Sequence, residues 1–243
     1  MHDKIKEEFI STLSHEIRTP LTSIKGFSKT MLDNWENLND EQKRKFIEII
    51  SQQSQRLINL VENVLNVSKI DSGKNDAVLK KVDLKTALEN ALNLVKINYK
   101  DFEFKINCAK NVEQVFADTQ KLQQVLINLL DNAIKYSKNS KNIEININSD
   151  KNFGSISIIN FGIPIEKEYF NKIFDKFFRI SNYLTSQTQG SGLGLYITKT
   201  LIEQMNGKIE VKSEEDKKST EFTISLPLFE AENIAKHALK NTK

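Results

Sequence analysis

Apolar residues recur at helical spacing through the first 70 positions of the chain. From residue 9 to 31 they fall on one face of a helical wheel, within about 80° of Leu13 at 100° per residue. This face consists of Phe9, Leu13, Ile17, Pro20, Leu21, Ile24, Phe27 and Met31. A second series steps alternately by four and three residues, which is the heptad pattern of packed helices. Its members are Phe46, Ile50, Gln53, Leu57, Leu60, Val64 and Val67. The two series predict two helices of about 30 residues each, joined by a short loop near residues 36–40.

A hairpin of two such helices cannot bury both of its apolar faces by itself. Four helices from two chains would cover them, so we expect a homodimer that forms a four-helix bundle. In the alternative arrangement, a monomer packs the hairpin against the rest of its own chain. The second helix should begin near Asn39, because Asn39 and Gln42 have the spacing of a capping box.

The pattern changes after a polar stretch at residues 71–80. Helices are predicted over 83–99, over 118–137 and after residue 194, whereas apolar residues alternating with period two predict strands. The predicted strands are FEFKINC, EQVFA, IEININ, SISIIN, KIEVKS and TEFTISLP. Strands grouped with helices between them favour an α+β architecture, an α/β sandwich whose helices cover one face of a sheet.

These patterns divide the chain into four segments. Residues 1–72 are predicted as the helical hairpin, 73–82 as a polar hinge, 83–228 as the sandwich domain and 229–243 as a C-terminal tail. A sandwich of about 150 residues is large enough to have its own core. We therefore expect a multidomain protein.

Composition excludes several classes of function. The chain of 243 residues has 35 Lys and Arg against 32 Asp and Glu, and this net charge of +3 gives no case for a nucleic-acid partner. Cys108 is the only cysteine, which excludes an intrachain disulfide and suits a reducing compartment. No apolar run approaches the roughly 20 residues of a membrane-spanning helix, and residues 1–10 lack a signal-peptide core. We expect a soluble, cytoplasmic chain, although a parent protein could be membrane-bound upstream.

One polar pair lies on the side of the first helix that faces water. His15 lies about 160° from Leu13 on the wheel, beside Glu16, and Thr19 follows one turn later on the same face. An imidazole nucleophile with a carboxylate base beside it suits nucleophilic catalysis. A solvated surface histidine near a helix kink at Pro20 is the alternative, and spacing alone does not decide between the two.

Two patterns in the second domain suit an anion or a metal ion. Asn128, Asn132 and Lys135 share a helix face beside Tyr136, and they offer oxygen ligands for Mg²⁺ and a cation for phosphate. The same spacing is typical of a solvated polar face.

Glycines are concentrated in the stretch GSGLG, directly before a predicted helix. They let the backbone approach a ligand, and free N–H groups at a helix N-terminus bind anions. A glycine-rich turn without a ligand is equally compatible with this pattern.

Four motifs together are more specific than any one of them. SHEIRTPL, NLLDNAIKYS, FDKFFRI and GSGLGL resemble, in order and spacing, the motifs of sensor histidine kinases of two-component systems. The first resembles their phosphoacceptor box, and the others resemble boxes of the ATP-binding fold shared with gyrase, Hsp90 and MutL (the Bergerat or GHKL fold). The likeness covers about residues 3–228. A gyrase-like or Hsp90-like ATPase is disfavoured, because those proteins lack the helical hairpin with SHEIRTPL.

The resemblance implies an enzyme that phosphorylates His15 from Mg-ATP and passes the phosphoryl group to an aspartate of a response regulator. Glu16 would take a proton from the His15 ring. Thr19 would position water for dephosphorylation of the regulator. A homodimer, a response-regulator receiver domain as partner, and ATP and Mg²⁺ as cofactors are implied with these roles.

The resemblance also implies the residues of an ATP site. Asn132 would bind Mg²⁺, Asn128 would lie close to the metal and phosphates, Lys135 would contact phosphate, and Tyr136 would pack against the nucleotide. The backbone of the glycine stretch would cradle phosphates through Gly190, Ser191, Gly192, Leu193 and Gly194.

Three further features complete the implied site. Residues 181–189 would be a lid over the nucleotide. Arg179 would reach phosphate or brace this lid. Thr220 matches a threonine that lies near the adenine.

The box that contacts adenine departs from the family pattern, which is usually D-x-G-x-G-I. This chain has NFGIPI, so Gly162 and Ile165 match, but Asn160 replaces the aspartate and Pro164 replaces the second glycine. Asn160 keeps one oxygen to accept from the adenine amino group and loses the charge, which costs roughly 1–3 kcal/mol.

Three interpretations of this departure remain open. They are a weak but working kinase, an altered nucleotide preference, and a dimeric scaffold or phosphatase that binds ATP poorly. The first is favoured, because His15, Glu16, Asn132, Lys135 and the glycine stretch are all present.

Overall fold

A computed structural model describes residues 2–72, 77–110, 112–137, 140–180 and 191–229, with the backbone alone for residues 2–12. The predicted lid at 181–189, the predicted phosphate contact Gly190 and tail residues 230–243 lie outside the described residues.

The chain begins with a hairpin of two long helices. Helix α1 spans His2–Asp33 and helix α2 spans Asp40–Asp71, each of 32 residues. The predicted capping box at the start of α2 is confirmed. The N–H of Gln42 donates to Asn39 Oδ1 at 2.8 Å, and the N–H of Asn39 donates to Gln42 Oε1 at 3.0 Å. These bonds satisfy two of the backbone donors that every helix start leaves free, which fixes the position of the turn.

The apolar series meet between the two helices. The rings of Phe27 and Phe46 lie 5.1 Å apart, and Leu60 and Val67 of the heptad series are buried. Leu21, predicted on the apolar face of α1, is instead 54% exposed, because a single partner helix covers only part of that face. A second stripe, on α2, is also exposed at Ile47, Ile58, Val61 and Leu65. None of the helices in the described part of the chain combines the length and apolar character needed to cross a membrane.

Helices and strands alternate irregularly in the rest of the chain. The helices are α3 (Leu84–Asn98), α4 (Thr119–Tyr136) and α5 (Gly194–Gln204). The strands are β1 (Lys80–Val82), β2 (Glu103–Cys108), β3 (Val115–Ala117), β4 (Asn142–Ser149), β5 (Phe153–Phe161), β6 (Lys208–Glu214) and β7 (Ser219–Pro227). Two short 3₁₀ turns, Lys167–Tyr169 and Lys172–Phe174, lie between β5 and α5.

Five strands form a sheet in the order β2-β4-β5-β7-β6, in which only the β2–β4 pair is parallel. One face of the sheet carries rows of isoleucines, such as Ile145 and Ile158, that are at most 1% exposed. The leucines of α4, among them Leu126 and Leu130, are fully buried within the same core. The predicted α+β sandwich is therefore confirmed.

The last three residues of the segment predicted as a hinge over residues 73–82 form a strand. Lys80–Val82 forms β1 and pairs antiparallel with β3, with Val82 buried. Three residues are too few for a periodic pattern to show, so the sequence did not indicate this strand. The carboxylate of Asp118 accepts from the N–H of Val78 at 2.9 Å and also caps α4 by accepting from Gln120 and Lys121.

Replacing Leu126 with alanine tests the role of α4 in the core. Removing a fully buried leucine leaves a cavity, so Leu126→Ala should lower the free energy of unfolding by about 2–5 kcal/mol. The measurement is urea denaturation followed by far-UV circular dichroism. Leu94→Ala on α3 is the matched control, because Leu94 is 46% exposed and its loss should change stability by about 0.5 kcal/mol or less. Equal urea midpoints for the two variants would contradict this packing.

Candidate functional site

A cavity of about 230 Å³ opens where α4, α5 and one end of the sheet meet. Most of the residues predicted to contact a nucleotide line it together. These are Asn128, Asn132, Lys135, Tyr136, Asn160, Ile165, Arg179, Ser191, Gly192, Gly194 and Thr220. The fold thus brings together residues that are up to 92 positions apart in the chain, since Asn128 and Thr220 line the same cavity.

Helix α4 provides one wall of the cavity through its amphipathic pattern. Its leucines enter the core, which leaves Asn128, Asn132 and Lys135 on the side that faces the cavity. The amide Nδ2 of Asn128 donates to Thr198 Oγ1 at 2.7 Å and so connects α4 to α5. Because this amide is held by α5, the amide of Asn132 is the one that we expect to be available for a ligand.

The floor of the cavity is a polar row across three strands of the sheet. Asn160 on β5 pairs with Thr220 on β7, which pairs with Ser213 on β6. Asn160 and Thr220 are each 3% exposed. They continue rows that are apolar further along the same face, where Ile158 pairs with Phe222. A buried polar group costs free energy unless it is hydrogen-bonded, so a polar end to an apolar row indicates a binding site.

The glycine stretch packs against the FDKFFRI segment. Gly192 has a positive φ of 69°, and its carbonyl accepts from the N–H of Phe177 at 3.1 Å. A Cβ on Gly192 would lie 2.7 Å from the Phe177 carbonyl carbon, so only glycine fits there. At Gly194, where α5 begins, a Cβ would collide with the Asn128 side chain. Gly192 is therefore required by backbone contacts that the motif alone did not specify, whereas a larger residue at Gly194 would displace the Asn128 side chain.

Two residues predicted in the nucleotide site do not line the cavity. Leu193 is 1% exposed because its side chain enters the core at the start of α5. The N–H of Gly162 donates to the Lys218 carbonyl at 2.7 Å, which closes the end of the β5–β7 pair. Their positions in the motifs reflect packing and strand closure.

A cluster of charges joins the helical hairpin to the cavity. The Glu16 carboxylate on α1 accepts from Arg56 Nη2 on α2 at 2.9 Å and from Arg179 Nη1 at 3.5 Å. Arg179 also lines the cavity, as does Asn63 of α2. Sequence reasoning missed Arg56, since one arginine on the polar side of a heptad helix carries no signal of its partner. It also missed the cavity-lining residues Asn63, Ile163 and Phe178.

Burial perturbs the ionisable groups around the cavity. Burial, followed by the nearby charge of Arg179, lowers the pKa of Lys135 to about 8, and Glu16 partly opposes this change. Burial raises the pKa of Asp131 to about 6, against the attraction of Lys135. Burial also raises the pKa of Tyr136. Three cations, Arg56, Arg179 and Lys135, lie near Glu16, and this excess of positive charge favours binding of an anion here.

The predicted nucleophile lies outside the cavity. His15 and Thr19 are exposed on α1, and the Thr19 hydroxyl donates to the His15 carbonyl at 3.2 Å. Pro20 has no N–H to donate to the Glu16 carbonyl, as an interior proline always lacks this bond. Among the described residues that line the cavity, none comes from the segment 15–19. The structure therefore brings Glu16 to Arg179 without bringing His15 to the nucleotide cavity.

Family models match both parts of the chain. Residues 5–73 match the His Kinase A (phospho-acceptor) domain, and residues 117–230 match the histidine kinase-, DNA gyrase B- and HSP90-like ATPase. The chain belongs to the sensor histidine kinases. The two matched regions correspond to the hairpin with His15 and to the sandwich that contains the cavity.

Two sensor proteins are similar to most of this chain. The sensor protein SrrB of Staphylococcus aureus is 35% identical over 232 residues, which are 93% of this chain and 38% of SrrB. The sensor protein KdpD of Clostridium acetobutylicum is 34% identical over 209 residues, which are 86% of this chain and 23% of KdpD. The chain thus spans less than two fifths of the length of either relative.

Solved histidine kinase structures share the fold. The histidine kinase ThkA, in complex with the response regulator protein TrrA, aligns with a TM-score of 0.71 and 28% identity over 93% of this chain and 63% of that one. The histidine kinase AdeS of Acinetobacter baumannii aligns with a TM-score of 0.66 over 88% of this chain and 98% of AdeS. Its 22% identity shows a shared fold alone.

The low pKa of Lys135 predicts how nucleotide binding depends on pH. As pH rises through about 8, the buried ammonium loses its proton and its attraction for phosphate, so affinity for ATP should fall by up to about tenfold between pH 7.5 and 9. Isothermal titration calorimetry with a non-hydrolysable ATP analogue measures this fall.

Lys135→Arg is the matched control, because a guanidinium stays charged throughout this range. The variant should show little change in affinity between the same pH values. An equal fall in the wild type and in the variant would exclude Lys135 as its source.

Proposed function

We propose that this chain is the catalytic core of a sensor histidine kinase that binds Mg-ATP, phosphorylates His15 and passes the phosphoryl group to a response-regulator aspartate. The observation that carries the proposal is the single cavity in which the amide face of α4, the glycine stretch and two cations, Lys135 and Arg179, converge. A cavity with these groups suits a polyphosphate, and the same chain carries an exposed histidine next to a carboxylate.

The residues of the cavity fit ATP with a magnesium ion. The amide oxygen of Asn132 is a suitable hard ligand, and Mg²⁺ commonly takes one or two protein ligands together with phosphate oxygens and water. The structure shows no cluster of three or more His, Cys, Asp or Glu side chains suited to a metal in its described ranges. When bound, the ion would neutralise phosphate charge during transfer. Lys135, Arg179 and the backbone at Ser191–Gly192 would hold the phosphates.

The chemistry at His15 is a phosphoryl transfer to nitrogen. A ring nitrogen of His15 forms a bond to the γ-phosphorus, the bond to the bridging oxygen breaks, and ADP leaves. Glu16 accepts the proton from the other ring nitrogen, which favours the nucleophile. Arg56 and Arg179 each bind one oxygen of Glu16 in this structure, and the remaining lone pairs of these oxygens can accept the His15 proton.

The position of His15 outside the cavity implies movement between the two domains. We propose that the sandwich, predicted over residues 83–228, swings onto the hairpin of residues 1–72 in each catalytic cycle. The contacts that must break include the Glu16–Arg179 pair and the ion pair of Lys176 with Asp71 at 2.7 Å. These pairs are partly exposed, so water can replace them at low cost.

Response-regulator binding and dephosphorylation complete the proposed activity. ThkA, which aligns along most of this chain, was solved in complex with a response regulator. Thr19 is exposed one turn after His15, and its hydroxyl donates to the His15 carbonyl. In the proposed dephosphorylation, this hydroxyl would orient a water molecule toward the phosphoaspartate of the regulator. Because ATP is supplied in the cytoplasm, we expect this core to act there.

Phosphorylation of His15 is tested with radiolabelled ATP and Mg²⁺. The wild-type chain should acquire acid-labile, base-stable label, as expected for phosphohistidine, and His15→Ala should acquire none. His2→Ala is the matched control and should be labelled normally.

The outcomes of this assay separate the kinase from a silent dimeric scaffold. Label that persists in His15→Ala contradicts His15 as the acceptor. A folded wild-type chain that acquires no label at saturating ATP would favour the scaffold.

The exposed stripe on α2 supports a homodimer. Ile47, Ile58, Val61 and Leu65 fall within about 60° on the wheel and are 49–55% exposed. An exposed row of apolar side chains on a helix hairpin is the kind of surface that a second hairpin covers in a four-helix bundle.

A charge placed in this stripe should dissociate the dimer. Val61→Glu would bury a carboxylate in the bundle, so the variant should elute as a monomer in size-exclusion chromatography with light scattering. Ile97→Glu on α3 is the matched control, because Ile97 is 66% exposed outside the hairpin, and this variant should remain dimeric. A wild-type monomer, or a dimeric Val61→Glu, would argue against this interface.

A further inference from the structure

One buried hydrogen-bond donor at the floor of the nucleotide cavity has no partner among the residues that the structure describes. Asn160 is 3% exposed, and its side-chain Nδ2 makes no hydrogen bond within the part of the chain that the structure describes. Among all buried side-chain nitrogen and oxygen atoms of the described residues, this atom is the one left unsatisfied. Leaving a buried donor unpaired costs about 1–3 kcal/mol, so a ligand acceptor is the expected partner.

The neighbouring hydroxyls present an acceptor beside this donor. Ser213 Oγ donates to the Ser219 carbonyl at 2.9 Å and accepts from the N–H of Ile165 at 2.9 Å. Its one proton is thereby used, so in its 2.9 Å contact with Thr220 the proton belongs to Thr220. Thr220 Oγ1 then has only lone pairs to offer to the cavity. The floor therefore presents the Asn160 donor next to the Thr220 acceptor, on directly paired residues of β5 and β7.

An amide at this position can pair with either purine. Adenine carries a donor at its 6-position and an acceptor at N1, whereas guanine carries an acceptor at O6 and a donor at N1. Asn160 has both a donor and an acceptor, and rotation of the amide by half a turn exchanges them. A carboxylate at the same position can only accept hydrogen bonds, so its negatively charged oxygen would face the partially negative O6 of guanine and repel it. The side chain of residue 160 thus decides whether the 6-position is discriminated.

We infer that the nucleotide cavity of this chain accepts guanine as well as adenine triphosphates, with Asn160 as the residue that sets this relaxed selectivity. The inference rests on the proposed ATP-dependent function and concerns the base that the same cavity reads. Donation from Nδ2 to guanine O6 satisfies the buried amide, and Thr220 accepts from the guanine N1–H. Adenine is held by the flipped amide, which accepts from its amino group and donates to N1.

Calorimetric titration with non-hydrolysable analogues of ATP, GTP and ITP, each with Mg²⁺, tests the inference. For the wild-type chain, the dissociation constants of the ATP and GTP analogues should agree within about tenfold. The ITP analogue has the same 6-oxygen as guanine and lacks the 2-amino group, so it should bind as the GTP analogue does. Agreement between ITP and GTP would show that the 2-amino group of guanine contributes little to binding, so that any difference from ATP arises at the 6-position or N1.

Asn160→Asp is the decisive variant. It should strengthen binding of the ATP analogue and weaken binding of the GTP analogue. The dissociation constant of the GTP analogue divided by that of the ATP analogue should therefore rise at least about tenfold. Asn148→Asp is the matched control, because it adds the same charge at an exposed position of β4 and should leave the ratio unchanged.

The outcomes keep this inference separate from the proposed function. A wild-type chain that binds the ATP analogue 100-fold or more tightly than the GTP analogue overturns relaxed selectivity and leaves the kinase proposal intact. An unchanged ratio in Asn160→Asp overturns the role of Asn160 in the same way. Failure of every nucleotide to bind the folded wild type contradicts both proposals.

Discussion

The site depends on the burial of one face of α4 against the five-stranded sheet. Because the leucines of this helix are fixed in the core, the residues on its other side have no freedom to turn away from the cavity. The polar row formed by Asn160 and Thr220 meets this helix where the apolar rows of the sheet end. One side of α4 therefore packs in the core while the other side lines the cavity, so a change that shifts this helix disturbs both packing and ligand binding.

A second constraint acts between the domains through Glu16. This carboxylate is shared by Arg56 of the hairpin and Arg179 of the sandwich, so the proposed base is also the point where the two domains are joined. An ion pair of this partly exposed kind contributes only about 1 kcal/mol or less. The arrangement is thus well suited to a contact that must form and break repeatedly. Such an ion pair can stabilise the arrangement of the two domains seen here and still break when the sandwich moves toward His15.

Periodic features were predictable from the sequence, whereas tertiary contacts were not. The heptad series located α2, and the side chains of Asn39 and Gln42 marked its first turn, because these signals are local. The face of α4 that lines the cavity could be predicted for the same reason. The three-residue strand β1 was too short to produce a pattern.

Motifs alone left two kinds of structural information out. Leu193 and Gly162 lie within motifs, yet membership of a motif does not specify where a side chain points or whether a backbone group is used by a neighbouring strand. Arg56 belongs to no motif, and its importance arises only when α1 and α2 pack. The carboxylate of Asp118 binds the backbone of Val78 as well as the start of α4, so Val78 is held by the sandwich. The five peptide links from Ser72 to Ala77 span at most about 18 Å. The ATP-binding domain therefore stays close to the hairpin of its own chain, at an effective concentration of about millimolar. Transfer within one assembly should therefore proceed at a rate that does not change when the protein is diluted.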